Sequence, residues 1–169
     1  MNDFKFKNNV LHVENVSINN LIKKFDTPFY CYSANTIIGK INEFKRYFDN
    51  SNIIICYAVK ANPNIAILKI LSKLGCGAEV VSIGELLRTL KAGISNNKIV
   101  FSGVGKTSEE LEYAIKKNIL QINVESLDEL RLIIKISKKL KKRVNLGLRI
   151  NPNIDAKTHP SPLLSSSGK

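Results

Sequence analysis

The stretch Ile53-Ile54-Ile55-Cys56-Tyr57-Ala58-Val59-Lys60-Ala61-Asn62-Pro63 places an amine at the end of an unbroken apolar run. Four apolar residues without polar alternation, Ile53 to Cys56, suit a parallel strand covered on both faces better than an edge strand. Asn62-Pro63 breaks the run and Pro63 can open the following helix, so Lys60 is predicted near the strand's C-terminal end. In an apolar, half-buried setting the charged form of a lysine loses solvation and its pKa falls. A neutral amine then becomes available for Schiff-base chemistry. The same spacing suits a lysine that merely ends a strand and snorkels to water, and the residue types leave both readings open.

Glu79 is predicted beside the C-terminal end of the next strand, facing the same mouth as Lys60, and taken alone it also reads as one half of an ordinary ion pair. Arg149, inside the apolar run Leu146 to Ile150, would be costly to bury without a partner, and a mouth-facing pairing with Glu79 would relieve that cost. Ser82 has the position of a cap for a helix starting at Ile83. His159 sits between Thr158 and Pro160 in a loop-like stretch. Gly103-Val104-Gly105-Lys106 lacks the spacing of a nucleotide-binding phosphate loop. Thr107 with Glu110, and Ser126 with Glu129, have capping-box spacing and are read as structural.

Those groups need strands and helices to hold them. From Ile53 onward the pattern predicts strands over 53–59, 78–81, 98–102, 121–125 and 144–150, separated by helices over 63–74, 83–92, 107–117 and 127–141. Short strands alternating with helices of ten to fifteen residues indicate right-handed βαβ units and a parallel sheet. Gly75, Gly93 and Asn118 lie where residues tolerant of a left-handed backbone would stop three of the helices. Upstream, Phe4 to Val13 alternates as a strand pair, and Val16 to Phe25 has helical spacing with Ser17 as its cap. Thr27 to Tyr32 reads as β-rich, and Ser33 can start a helix from Ala34 to Phe48. The fold class is α/β, with five parallel strands forming part of a TIM-type barrel after an N-terminal β/α segment. A complete eightfold barrel takes about 250 residues and this chain has 169.

Composition narrows the function classes. With 44% apolar residues and five prolines the chain reads as globular. The net charge of +12 invites a nucleic-acid reading, but lysines spread over the helices carry most of it, without aromatic platforms or a binding motif. The dense cluster Lys138, Lys139, Lys141, Lys142 and Arg143 ends a helical stretch, where cations complement the helix dipole. Cys31, Cys56 and Cys76 are odd in number and lack metal-ligand spacing, which suits reduced thiols in a cytoplasmic protein. No run approaches a signal core or a membrane span, so neither membrane nor nucleic acid is an expected partner.

Tyr57-Ala58-Val59-Lys60-Ala61-Asn62 resembles the cofactor-lysine motif of the pyridoxal-phosphate decarboxylases with an alanine-racemase-like barrel. Gly77-Ala78-Glu79-Val80-Val81-Ser82-Ile83-Gly84-Glu85-Leu86 is similar to that family's next signature. Arg149-Ile150-Asn151-Pro152 and Asp155-Ala156-Lys157-Thr158-His159-Pro160 resemble the diaminopimelate decarboxylases among them. The resemblance implies that Lys60 is catalytic and carries pyridoxal 5'-phosphate. It implies further that Glu79 and Arg149 lie close to the cofactor, where Arg149 could meet cofactor oxygens instead of Glu79, and that Ser82 and His159 approach the same site. It implies decarboxylation of meso-diaminopimelate to L-lysine by a truncated form, an amino-acid substrate and a homodimer. Another basic amino-acid or polyamine-precursor decarboxylase of the same group stays open, as does an inactive cofactor-binding remnant, because the specificity element lies downstream. In this reading residues 1–50 are a segment that in the family packs on a C-terminal β-domain, 51–160 are the first part of the barrel, and 161–169 form an atypical tail. The ring-stacking histidine, the glycine-rich phosphate cradle, the acid for the pyridine nitrogen and the dimer-borne cysteine and tyrosine fall beyond the match.

Overall fold

The computed structural model describes residues 3–48 and 52–150. The chain opens with a three-stranded antiparallel sheet, β1 (Phe4–Lys7), β2 (Val10–Val13) and β3 (Val16–Ser17), in that order. Asn8 and Asn9 form the two-residue turn between β1 and β2, both with positive φ, as the tightest hairpins require. A short helix α1 (Ile18–Ile22) follows, capped by the Ser17 side chain, which accepts from Asn20 N–H. The helical spacing predicted as far as Phe25 ends early. Thr27 to Tyr32 contains no strand, and Tyr30 is 92% exposed, because among the described residues no strand lies beside this segment to complete a ladder.

Helix α2 (Ala34–Arg46) is tied to the hairpin through its N-terminus. Asp3 accepts hydrogen bonds from the hydroxyls of Ser33 (3.2 Å) and Thr36 (2.7 Å), while Glu14 accepts from the Ser33 hydroxyl (2.8 Å) and Asn35 N–H (2.9 Å). Two carboxylates from one sheet thus meet the positive end of one helix.

Beyond residue 52 the chain forms β4 (Cys56–Ala58), α3 (Ile65–Lys73), β5 (Gly77–Val80), α4 (Ile83–Lys91), β6 (Ile99–Phe101), α5 (Ser108–Lys116), β7 (Gln121–Val124), α6 (Leu127–Leu140) and β8 (Leu146–Leu148). The five strands are parallel and lie in sequence order, β4-β5-β6-β7-β8. This is the barrel arc expected from the alternation. Gly75, Gly93 and Asn118 all have positive φ just beyond their helices. The predicted strand over 53–59 shrinks to Cys56–Ala58, and Ile53 and Ile54 are about half exposed. Among the described residues β4 is an edge strand, with β5 as its only ladder partner, so the covering inferred from the apolar run is absent.

Alternation along the strands divides the sheet into two faces. Ala78, Val80, Ile99, Phe101, Ile122 and Val124 point to one side and are buried against α3 to α6, where Leu68, Leu71, Leu86, Leu111 and Ile133 complete the core. Register pairing places Cys56, Ala58, Glu79, Val100, Gln121, Asn123 and Gly147 on the other side. That second face is the interior of the arc. Past β7 the helix-side cover runs out, leaving Leu148 70% and Ile150 81% exposed.

Gly77 and Glu110 bear separately on stability. A Cβ at Gly77 would collide with the Lys98 carbonyl oxygen and lie 2.9 Å from Cys56 Sγ, so β4, β5 and the chain entering β6 close together only over glycine. Gly77→Ala is expected to lose about 2–3 kcal/mol in urea unfolding. Gly39→Ala, in α2 with open space around it, should gain about 0.5 kcal/mol, and an equal loss at both sites would contradict the close-approach argument. Burial works against ionisation of Glu110, but N–H donation from Thr107 and Ile83 outweighs it and holds the pKa below the ordinary 4.5. With the folded-state value depressed, the stability from Glu110 is fully present above the ordinary carboxylate range and is lost as pH falls through the folded value. Unfolding midpoints should therefore fall more steeply between about pH 5 and pH 3 for the native chain than for Glu110→Gln. Parallel curves would refute it.

Candidate active site at the strand exits

Lys60 lies in a single 3-10 turn, Val59–Ala61, immediately after β4. Val59 is fully buried and anchors the turn, while Lys60 is exposed. Asn62 then takes an extended backbone, and its side chain accepts from Asn64 N–H at 3.0 Å. The Asn64 side chain in turn caps α3 through Ala66 N–H, so Asn64 and not Pro63 sets the helix start. The strand-exit position predicted for Lys60 is present. The half-buried apolar surroundings are not, because among the described residues β4 has a neighbour on one side only. No carboxylate or carbonyl pairs with the Lys60 amine among the described residues.

Ala58 stands in register with Glu79, which places Glu79 on the interior face one strand away and half-buried. Cys56 lies one interior position below Ala58. Burial, with the negative charge of Glu79 next, pushes its thiol pKa up, so it stays protonated at neutral pH and is a poor nucleophile. Ser82 is the N-cap of α4 and accepts from Glu85 N–H at 3.3 Å, the capping role read from its position. His159 falls outside the described residues.

Arg149 does not reach Glu79. Its Nη1 lies 3.3 and 3.2 Å from the two carboxylate oxygens of Glu125. Strand register explains the change of partner. Asn123 pairs with Gly147 and Val124 with Leu148, so Glu125 is level with Arg149 on the interior face, whereas Glu79 is two strands further round. Glu125 is the functional candidate that the sequence reading missed. The available signal was an acid directly before a capping serine at a strand exit, in Val124-Glu125-Ser126.

Polar groups continue along the interior face. Gln121 Nε2 donates to Asn123 Oδ1 (2.7 Å), and Asn123 Nδ2 donates to Ser102 Oγ (2.8 Å). A Cβ on Gly147 would come within 2.5 Å of both amide side chains, so the glycine leaves them the space over β8. Interior residues that are small (Ala58, Gly77) or polar (Glu79, Asn123) give an open, hydrogen-bonding floor beneath an accessible amine. That floor can receive a polar aromatic aldehyde. A separate surface cavity of about 750 Å³ beside α2, lined by Asp3, Asn35, Lys40, Glu43 and Arg46 among others, contains none of the candidate residues.

Comparison with known proteins gives a consistent picture. Residues 34–169 match the family model described as pyridoxal-dependent decarboxylase, pyridoxal binding domain. The chain is 51% identical over 140 residues to a diaminopimelate decarboxylase of Helicobacter pylori, covering 83% of this chain and 35% of that enzyme. It is 44% identical over 156 residues to one of Aquifex aeolicus, covering 92% and 37%. The crystal structure of the diaminopimelate decarboxylase from M. jannaschii in complex with L-lysine superposes with a TM-score of 0.87 at 40% identity, over 98% of this chain and 40% of that one. The chain thus spans little more than a third of the length of the relatives it matches. With its strand exits arranged as described and most of its length matched to that domain, the chain belongs to the pyridoxal-dependent decarboxylase family.

Proposed function

We propose that this chain provides the lysine-bearing part of a pyridoxal-phosphate-dependent decarboxylase that converts meso-diaminopimelate to L-lysine and carbon dioxide in the cytoplasm. The observation that carries the reading is the Lys60 amine, exposed at the exit of β4 and without a carboxylate partner among the described residues. Relatives at 44% and 51% identity are diaminopimelate decarboxylases, which supports the substrate. Homodimer formation, and packing of residues 1–50 against a C-terminal β-domain, belong to the same proposal.

The residues present fit a pyridoxal group: a primary amine for its aldehyde, a carboxylate on the next strand, a guanidinium further round the arc after β8, and small or polar side chains on the interior face between them. When bound, pyridoxal phosphate supplies an electron sink that stabilises the carbanion left by loss of a carboxylate. Lys60 would hold the group through its amine, the one candidate side chain able to bond an aldehyde carbon. Glu79 adds negative charge on the interior face one strand away, which favours a cationic substrate or ring. Arg149, held by Glu125 yet 59% exposed at the side chain, keeps donors free for an anionic oxygen. Ser82 contributes indirectly by fixing the start of α4 above Glu79. His159, outside the described residues, is kept as a candidate cofactor-binding residue from the resemblance alone.

Incubation with pyridoxal phosphate, borohydride reduction and peptide mapping tests the assignment. Label should concentrate on Lys60 among the 21 lysines and disappear from that peptide in Lys60→Ala. Label spread over many lysines, or equal labelling of the variant, would show that β4 does not shape a pyridoxal site.

A further inference from the structure

Among the described residues Lys106 is the buried lysine, and the proposed chemistry makes no use of it. Its side chain is 1% exposed and that of its partner Glu129 is 9% exposed. All three ammonium donors are satisfied: Nζ donates to Gly103 O (2.6 Å), Asn123 O (2.8 Å) and Glu129 Oε1 (2.7 Å), and it lies 5.8 Å from the centre of the Phe101 ring. These acceptors come from the exit of β6, from β7 and from the first turn of α6.

The same groups hold Glu125 from two sides. Gly103 N–H donates to Glu125 Oε1 at 3.1 Å, and Glu125 N–H donates to Glu129 Oε2 at 2.7 Å. One ammonium therefore fixes both the residue that grips the Glu125 carboxylate and the carboxylate that grips its backbone. Gly103, at a φ of +95° that glycine adopts without strain, turns its N–H to Glu125 and its carbonyl to Lys106. A buried ion pair is a weak source of stability, since its desolvation cost offsets most of its attraction. The bonds of Lys106 to the β6 exit, to β7 and to α6 together point to a role in geometry.

We propose that Lys106 is a positioning residue: with Glu129 it holds Glu125, and through Glu125 it sets Arg149 at the strand exits. The consequence for cofactor binding rests on the function proposed above. The geometric statement does not.

The test uses the full chain labelled with ¹⁵N-arginine, which has five arginines, with the Arg149 guanidinium signal assigned by its loss in Arg149→Lys. In the native chain that signal should be displaced from its position in Glu125→Gln, where the pair is broken. In Lys106→Met it should move to the Glu125→Gln position. Should Lys106→Met fail to fold, Lys106→Met/Glu129→Gln removes both buried charges while leaving Glu125 N–H an acceptor, and the same displacement is expected there. A native Arg149 signal in either folded variant would overturn the proposal and make Lys106 a structural charge alone. The second readout is pyridoxal phosphate affinity by equilibrium dialysis. Lys106→Met should weaken it about tenfold, with no further loss when Arg149→Lys is added. Additive losses would also overturn the coupling. Absence of Lys60 labelling in the native chain would sink the cofactor reading, while the arginine signals would still decide the positioning role.

Discussion

Three glutamates at the third position of α4, α5 and α6 do the joining on which the arc depends. Each helix has a hydroxyl cap that accepts from the glutamate's own N–H, and each glutamate reaches back to donors at the strand exit. Glu85 accepts from Val81 N–H and Glu110 from Thr107 N–H, while Glu129 accepts from Glu125 N–H. Glu110 also accepts from Ile83 N–H and so binds α5 to the start of α4. Carboxylates satisfy donors that would otherwise be orphaned where helices begin, and they lie at their favourable end of the dipole. Two of the candidate residues, Ser82 and Glu125, are themselves parts of this collar.

The opposite end of the helices explains the basic composition. Lys45 donates to the Leu74 carbonyl and Lys98 to the Gly75 carbonyl after α3, and Lys142 donates to Lys116 O and Asn118 Oδ1 after α5. Lysines thus quench the exposed carbonyls where helices finish. A net charge of +12 is in this part an outcome of helix termination, spent at the end of the barrel remote from the strand exits. Exposed Lys60 and buried Lys106 depart from this, both placed at the exits.

Local chemistry was legible in the sequence and register was not. Ser17, Ser33, Ser82, Thr107 and Ser126 all cap the helices whose starts they marked, since a cap is decided within four residues. Capping-box spacing at Ser126 and Glu129 was readable and Ser126 does cap α6, but the Glu129 carboxylate bonds Glu125 N–H and Lys106 instead of closing the box on Ser126 N–H, which only the packed loop reveals. The pairing of Arg149 with Glu125 in place of Glu79 follows from which strand lies beside β8, a fact no spacing encodes. Exposure of Ile53, Ile54 and Lys60 was likewise hidden, because an apolar run records what a strand can cover and its burial depends on neighbours elsewhere in the chain.

The strand order β4-β5-β6-β7-β8 also bears on how the molecule comes into being. Every ladder in the arc joins a strand to the next one in sequence, so contacts are short in chain separation and loop closure costs little at each step. Each βα unit can dock as it leaves the ribosome onto the unit made just before it. At every stage of synthesis the growing sheet then presents a single fresh edge, and that edge is consumed by the next strand to emerge.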